Sequence, residues 1–91
     1  MKQLKHLDLS GTRVTDTSLK PLAALTSLEY LKLTSAPITD AGLKHLVGLT
    51  KLKHLNLIDT RVTSAGAEFI MKALPHCEVR RTVVRGSLLA P

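Results

Sequence analysis

Leucine recurs along the chain with a strict period of 24 residues. The pattern L-x-x-L-x-L begins at Leu4, at Leu28 and again at Leu52. Residues 4–27 and 28–51 are identical at ten aligned positions, where average residue usage gives about one or two by chance. The chain is therefore built of repeats, and each repeat is expected to form one structural unit that its neighbours cover.

The third copy of the pattern departs from the first two. It keeps nine of the first twelve positions of the first copy, but leucines of its second half become Ala67 and Ala73. The next apolar segment then follows after 22 residues instead of 24, and such drift is typical of a terminal, capping repeat. The predicted organisation is a repeat domain over residues 1–79, with repeats at 4–27, 28–51 and 52–73, a terminal strand at 74–79, and a C-terminal cap or flexible tail at 80–91.

Two periodicities alternate within each repeat. Apolar residues two apart, such as Leu7 and Leu9, predict a short strand, and apolar residues three apart, from Leu43 to Leu49, predict a short helix or 3₁₀ turn. A strand and a helix of this size cannot bury their leucines alone, so the repeats must stack. The sequence therefore predicts an α/β solenoid with a short parallel sheet along one side and helices along the other.

A threonine recurs once per repeat, directly before each predicted helix. Thr15, Thr39 and Thr63 occupy this position, and Asp16 and Asp40 follow the first two. Threonine can accept a hydrogen bond from a free helical N–H, and aspartate suits the positive end of the helix dipole. The column is predicted to cap the helices, because catalytic residues need not repeat. In the first repeat Pro21 would break a helix that starts at Asp16, so that helix is expected to begin later, with Thr17 or Ser18 as its cap.

The combined pattern L-x-x-L-x-L-x-x-T-x-V/I-T-D-x-G-L-x-x-L-x-x-L resembles the leucine-rich repeat superfamily, specifically the T-D-A-G-L subtype common in bacterial proteins. It is also similar to the cysteine-containing repeats of F-box-associated proteins, but no F-box is present. The chain departs from the pattern after each strand, where threonine or alanine replaces the usual Asn or Cys. It departs again in the first repeat, where Ser18 stands in place of the helix glycine found as Gly42 and Gly66.

The resemblance implies a non-catalytic scaffold that binds another protein through the concave face of its sheet. Residues that flank the inward leucines should point outward, because side chains alternate along a strand. They form three columns, His6, Tyr30, His54 and His76, then Asp8, Lys32, Asn56 and Glu78, then Ser10, Thr34, Ile58 and Arg80. The simpler interpretation, that these are the solvated positions of any such sheet, stays open.

Composition and motifs argue against catalysis and against a cofactor. The 18 leucines, one Phe, one Tyr and no Trp indicate a core of many similar contacts. No glycine-rich phosphate loop and no paired carboxylates on one element are present. His54 and His76 could share a metal ion, but Cys77 follows the inward register and is expected in the core, so a third ligand is missing and no metal is predicted.

A net charge of +6 favours one alternative function, which is binding of a polyanion or nucleic acid. Arg13 and Arg61 share one loop position. Only Tyr30 could stack on bases, so nucleic acid is the less favoured partner. A further cluster follows the last repeat and consists of Arg80, Arg81 and Arg85.

The N-terminus bears on location and assembly. Charged residues interrupt any signal-peptide core, no stretch of 18 apolar residues occurs, and the single Cys77 forms no internal disulfide, so we expect a cytoplasmic protein.

The first repeat begins at Leu4 without a polar capping element. We therefore expect the chain to belong to a longer array, or to self-associate end to end through its first repeat.

Overall fold

Each repeat contributes one strand and one helical segment in the computed structural model, which describes residues 3–81. The strands are β1 (His6–Asp8), β2 (Tyr30–Lys32), β3 (His54–Leu57) and β4 (Glu78–Arg81). The helical segments are a 3₁₀ helix (Thr17–Ala24), helix α1 (Asp40–Leu43) with the 3₁₀ helix Lys44–Leu46 directly after it, and helix α2 (Ser64–Ala73). All four strands pair in chain order into one parallel sheet. The predicted α/β repeat architecture is confirmed.

The core consists of leucine layers stacked between the sheet and the helices. Leu28, Leu31 and Leu33 of the second repeat are at most 2% exposed, and their equivalents in the third repeat are equally buried. In the first repeat, Leu4, Leu7 and Leu9 are only partly buried. Each layer is therefore covered by the one before it, and among the described residues the first layer has no such cover.

The register of the first three strands agrees with the predicted columns. His6 pairs with Tyr30 and Tyr30 with His54, while the inward leucines pair among themselves. Because the register is strict, a 24-residue step along the chain is one step across the sheet. Side chains at equivalent positions consequently lie beside each other on the exposed face.

The fourth strand differs from the prediction in position and in register. It comprises Glu78–Arg81, not residues 74–79, and Glu78 rather than His76 pairs with His54. Arg80 correspondingly pairs with Asn56, the position predicted for Glu78. The predicted membership of His76, Glu78 and Arg80 in the three columns is therefore wrong, and the strand spacing remains 24 residues.

The prediction for the fourth strand fails because the helical part of the third repeat is one residue longer than in the earlier repeats. The segment from Cys77 to β4 is one residue shorter, which restores the 24-residue spacing of the strands. The Cys77 N–H bonds to the Leu74 carbonyl at 3.0 Å, as the Leu28 N–H bonds to the Leu25 carbonyl. Leu74 thus takes the place of a helix leucine, and Cys77 takes the place of Leu28, where it is 9% exposed. The prediction that Cys77 is a core residue is confirmed.

The C-terminal cap or tail is predicted to begin at residue 80, but Arg80 and Arg81 belong to β4. The rest of that prediction, including the position of Arg85, lies outside the described residues. No helix in the part of the chain that the structure describes is long and apolar enough to cross a membrane.

Candidate functional site

Three aromatic side chains lie in a continuous stack on the exposed face of the sheet. The ring centroids of His6 and Tyr30 are 4.3 Å apart with an interplanar angle of 23°, and those of Tyr30 and His54 are 4.8 Å apart with an angle of 10°. The strand spacing of about 4.8 Å sets these distances, because the three residues occupy one position of successive repeats. We call His6, Tyr30 and His54 the ring column.

Glu78 lies at the end of the ring column and engages two neighbours. Its carboxylate is 3.4 Å from His54 Nδ1, and it accepts a hydrogen bond from Arg80 Nε at 3.1 Å. All three side chains are about half exposed or more. Glu78 therefore anchors the last ring of the stack and holds the Arg80 guanidinium beside the face.

The second column combines local structure with exposed charge. Asp8 Oδ1 accepts the Ser10 N–H at 2.9 Å, and Asn56 Oδ1 accepts the Ile58 N–H at 3.0 Å, so both side chains close the turn after their strand. The Ser10 hydroxyl and N–H, with Lys32 nearby, hold the pKa of Asp8 below its usual value. Lys32 cannot accept such a bond, and its exposed ammonium is available to a ligand.

A side chain of the third column bonds to one of the second column. The Thr34 hydroxyl donates to Asn56 Oδ1 at 3.1 Å, which ties β2 to β3 beside the face. Ile58 is 36% exposed at the rim. Ser10, Thr34 and Ile58 thus flank the second column on the side away from the ring column, and Ile58 is the apolar contact that they offer.

The ring column and the second column line one shallow depression of about 410 Å³. Leu7, Leu31 and Leu55 form its floor. This depression agrees with the concave shape expected for the strand side of the solenoid. His76 lies outside it, beside Pro75 and Cys77 at a separate hollow near the end of helix α2.

Metal binding and nucleophilic chemistry place specific demands on the described side chains. Among residues 3–81 no group of three or more His, Cys, Asp or Glu side chains could hold a metal ion. Burial, and the nearby Glu78 carboxylate, raise the pKa of the Cys77 thiol to about 11, which keeps this nucleophile protonated at neutral pH.

A second set of contacts, which the sequence did not predict, links successive repeats on the helix side. The Asp16 carboxylate accepts hydrogen bonds from the Thr39 N–H and hydroxyl, and the Asp40 carboxylate does the same for Thr63. Thr39 and Thr63 are also N-caps, as predicted, accepting from Ala41 and Gly66 N–H groups. Asp40 lies in the first turn of its own helix, as predicted, and the bonds of Asp16 and Asp40 to the following repeat are an additional role that was not predicted.

In the first repeat neither Thr15 nor the later candidates Thr17 and Ser18 is the N-cap, so both predictions for this cap are wrong. The N-cap residue of the first helical segment is Asp16, which makes no side-chain capping bond. The Thr15 N–H instead donates to Ser18 Oγ at 3.2 Å. The signal that could have revealed this difference is the replacement of the helix glycine by Ser18.

Comparison with known proteins agrees with this geometry. A search of curated proteins finds no similar relative. Residues 1–62, more than half of the chain, match the family model described as leucine rich repeat. Such repeats generally act as protein-binding scaffolds and are typically non-catalytic. The sequence match and the parallel sheet with its 24-residue period show that the chain belongs to the leucine-rich repeat family.

Proposed function

We propose that the chain is a non-catalytic scaffold that binds another protein through the concave face, with the ring column at the centre of the contact. The observation that carries this proposal is the stack of His6, Tyr30 and His54 over the depression of about 410 Å³. Three rings held against each other lose little side-chain freedom when a partner binds, and such preorganisation favours affinity.

The stacked rings face each other, so they offer their edges and polar tips to a ligand. Ring edges carry positive partial charge and favour the face of another aromatic ring or an acceptor oxygen. Lys32 and Ile58, which both lie on the C-terminal side of the ring column along the strand direction, add a cationic and an apolar contact. These features support a partner segment that combines an aromatic side chain with a carboxylate or carbonyl acceptor.

The concave face is small, so the interaction is expected to be weak. Four strands about 4.8 Å apart, each with about four residues at 3.3 Å, span only a few hundred Å². A standard protein interface uses about 800 Å² per partner. A single chain should therefore bind reversibly, with rapid dissociation.

The contacts of the basic residues support a protein partner over a polyanion. Lys53 Nζ is 3.7 Å from Glu29 Oε1, Arg80 bonds to Glu78, and Arg81 Nη2 donates to Ser64 Oγ at 3.1 Å. These side chains are already engaged within the chain. Polyanion binding is the alternative function. A chain that is not retained on a heparin matrix at low salt would exclude it.

A photo-cross-linking experiment tests the proposal. A benzoyl-phenylalanine is placed at Tyr30, and in a matched control at Phe69, which is 47% exposed on helix α2, and each chain is illuminated in its native host. We expect a discrete protein adduct from position 30 that is lost with His54→Ala and is not formed from position 69. Adducts from position 69 alone, or none from position 30, would contradict the proposal.

A further inference from the structure

The edge of the sheet at β1 has backbone groups that are free to pair with another strand. Among the described residues β1 pairs with β2 alone, so its other edge has no strand partner. Tyr30 and His54, the residues equivalent to His6, direct their N–H groups to the preceding repeat, and the carbonyls of Lys32 and Asn56, equivalent to Asp8, also face that repeat. His6 N–H and Asp8 C=O therefore point outward from β1.

Apolar surface accompanies this open edge. Leu4, Leu7, Leu9 and Val14 are only partly buried, whereas the equivalent residues of the next two repeats are at most 7% exposed. A layer of leucines beside an unpaired strand is the surface that a further strand and core layer would cover. The candidates to cover it are a preceding repeat, the C-terminal end of a second copy, and the β1 edge of a second copy.

Ser18 argues against a preceding repeat of the same kind. Each Thr-Asp repeat places its aspartate against the helix glycine of the next repeat, and a Cβ added to Gly42 or Gly66 would collide with Asp16 or Asp40. Ser18 carries such a Cβ. Its hydroxyl also binds the Thr15 N–H, which an upstream aspartate would otherwise bind. The Thr15 N–H is thus already bonded within the first repeat, at the point where the aspartate of a preceding Thr-Asp repeat would bind it.

The opposite end of the solenoid also fits this edge poorly. Continuing the sheet head to tail would place β4 of one copy beside β1 of the next. The inward positions of β4 are Val79 and Arg81, since Arg81 pairs with Leu57. Stacking would therefore bury the Arg81 guanidinium, which bonds to Ser64, against Leu9 of the second copy.

We propose that two copies of this chain associate through their β1 edges, antiparallel about a two-fold axis at Leu7. Antiparallel pairing places His6 opposite Asp8 of the second copy and Asp8 opposite its His6, both with outward backbone groups, so four backbone hydrogen bonds can form. The imidazole and carboxylate side chains then meet twice across the axis on the exposed face. On the inner side the leucines of the two first repeats cover each other.

The dimer has a consequence for the proposed partner site. An axis perpendicular to the sheet keeps both exposed faces on the same side, so the two ring columns join one eight-stranded surface. The area available to a partner doubles, toward that of a standard interface. The dimer is measured on the pure chain, without a partner. A failure to dimerise would therefore leave the proposed partner site uncontradicted.

Charge exchange tests the two-fold arrangement by sedimentation equilibrium of the full chain over a range of concentrations. We expect His6→Glu to raise the dimer dissociation constant at least about tenfold, because two carboxylates then face each other at each crossing, and Asp8→Lys to raise it because the imidazole loses its carboxylate partner. The double variant places a glutamate opposite a lysine at both crossings and should return close to the wild-type constant. Circular dichroism melts confirm that each variant is folded.

The same variants distinguish the head-to-tail arrangement. In that arrangement His6→Glu would face Glu78 and Asp8→Lys would face Arg80, so the double variant would be worse than either single variant. Arg80→Glu is the matched control, since it should leave the two-fold dimer unchanged and would disrupt a head-to-tail contact. A chain that is monomeric at all concentrations, single variants without effect, or a double variant that fails to recover would overturn the proposal.

Discussion

Asp16 and Thr39 join the first two repeats through a pair of hydrogen bonds. Asp16 Oδ1 accepts the Thr39 N–H at 2.8 Å, and Asp16 Oδ2 accepts the Thr39 hydroxyl. Thr39 Oγ1 in turn accepts the Ala41 N–H at the start of helix α1. One carboxylate thus fixes the threonine that caps the helix of the following repeat.

Replacing Asp16 by alanine should therefore destabilise the chain. A partly buried N–H without a partner costs about 1–3 kcal/mol, and we expect a loss of that size in the free energy of unfolding. Urea denaturation followed by circular dichroism measures it. Ser64→Ala is the matched control, because Ser64 occupies the same position in the third repeat and should cost less than Asp16→Ala. Equal losses would show that the Asp–Thr contact is not what stabilises the repeat boundary.

Gly66→Ala should destabilise the chain for a steric reason. The added Cβ would collide with the Asp40 carboxylate, and overpacking of this kind costs about 1–3 kcal/mol. Gly48→Ala is the matched control, since a Cβ at Gly48 has no heavy atom within 4 Å and the substitution should stabilise by about 0.4–1 kcal/mol.

A double-mutant cycle separates the steric effect from loss of the glycine itself. Asp40→Ala removes the carboxylate, so Gly66→Ala should cost less in that background by more than about 0.5 kcal/mol. Chemical denaturation of the four chains gives the coupling energy. Strict additivity would mean that the glycine serves the helix and not the inter-repeat contact.

The repeat period made the fold predictable, while the contacts between repeats were not. Leu7, Leu31 and Leu55 fix both strand and register, because a one-residue slip would expose every leucine. Asp16 and Thr39 recur in the same relation within each repeat, so the sequence alone cannot show whether the aspartate serves its own helix or the next. Geometry decides, since helix α1 stacks its glycine directly on that carboxylate.

The turn after each strand shows a second limit. Gly11, Ser35 and Asp59 are equivalent residues, and all three have a positive φ, of 72°, 64° and 60°. Only the first is a glycine, so composition gives no sign that the position is left-handed. Ser35 Oγ donates to Asp59 Oδ2 at 2.8 Å, and this bond between repeats helps to hold the unfavourable backbone.

The positions of the candidate site residues in the sheet could be predicted for β1 to β3 but not for β4. The sequence suggested Leu74 as the start of the last strand, because L-P-H-C-E-V resembles the apolar spacing of earlier strands. Helix α2 instead extends to Ala73, with Leu74 packed in the core behind it. A helix longer by one residue cannot be inferred from spacing alone when its leucines have become alanines.

Cys77 should resist alkylation in the folded chain. Burial and the Glu78 carboxylate raise the pKa of its thiol to about 11. Relative to a thiol with a pKa near 9, about 100-fold less thiolate is present at pH 8, so iodoacetamide should react correspondingly slowly. Mass spectrometry of timed aliquots, with and without 8 M urea as the denatured reference, follows the reaction. Similar rates in both solutions would contradict the burial of this thiol.

The same shift implies a pH dependence of stability. The folded-state pKa of Cys77 lies above the unfolded-state value, so the native chain keeps a proton that the unfolded chain releases. The contribution is present below about pH 9 and is lost as the pH rises toward 11. Cys77→Ala should flatten this part of the profile, and an unchanged decline in that variant would assign it to other groups.

Arg81 lies on β4, the last strand of the sheet among residues 3–81, and an apolar replacement should make that strand more prone to pairing. It occupies the position held by Leu9, Leu33 and Leu57 in the repeats, and its guanidinium bonds to Ser64. Arg81→Leu would complete an apolar row on an edge strand, which invites pairing with another chain, and head-to-tail pairing does not close. We expect light scattering to rise with concentration beyond the wild-type level, whereas Arg81→Gln, which keeps a polar side chain, should resemble the wild type. If Arg81→Leu scattered no more than Arg81→Gln, a polar side chain at this position would not be what protects the edge.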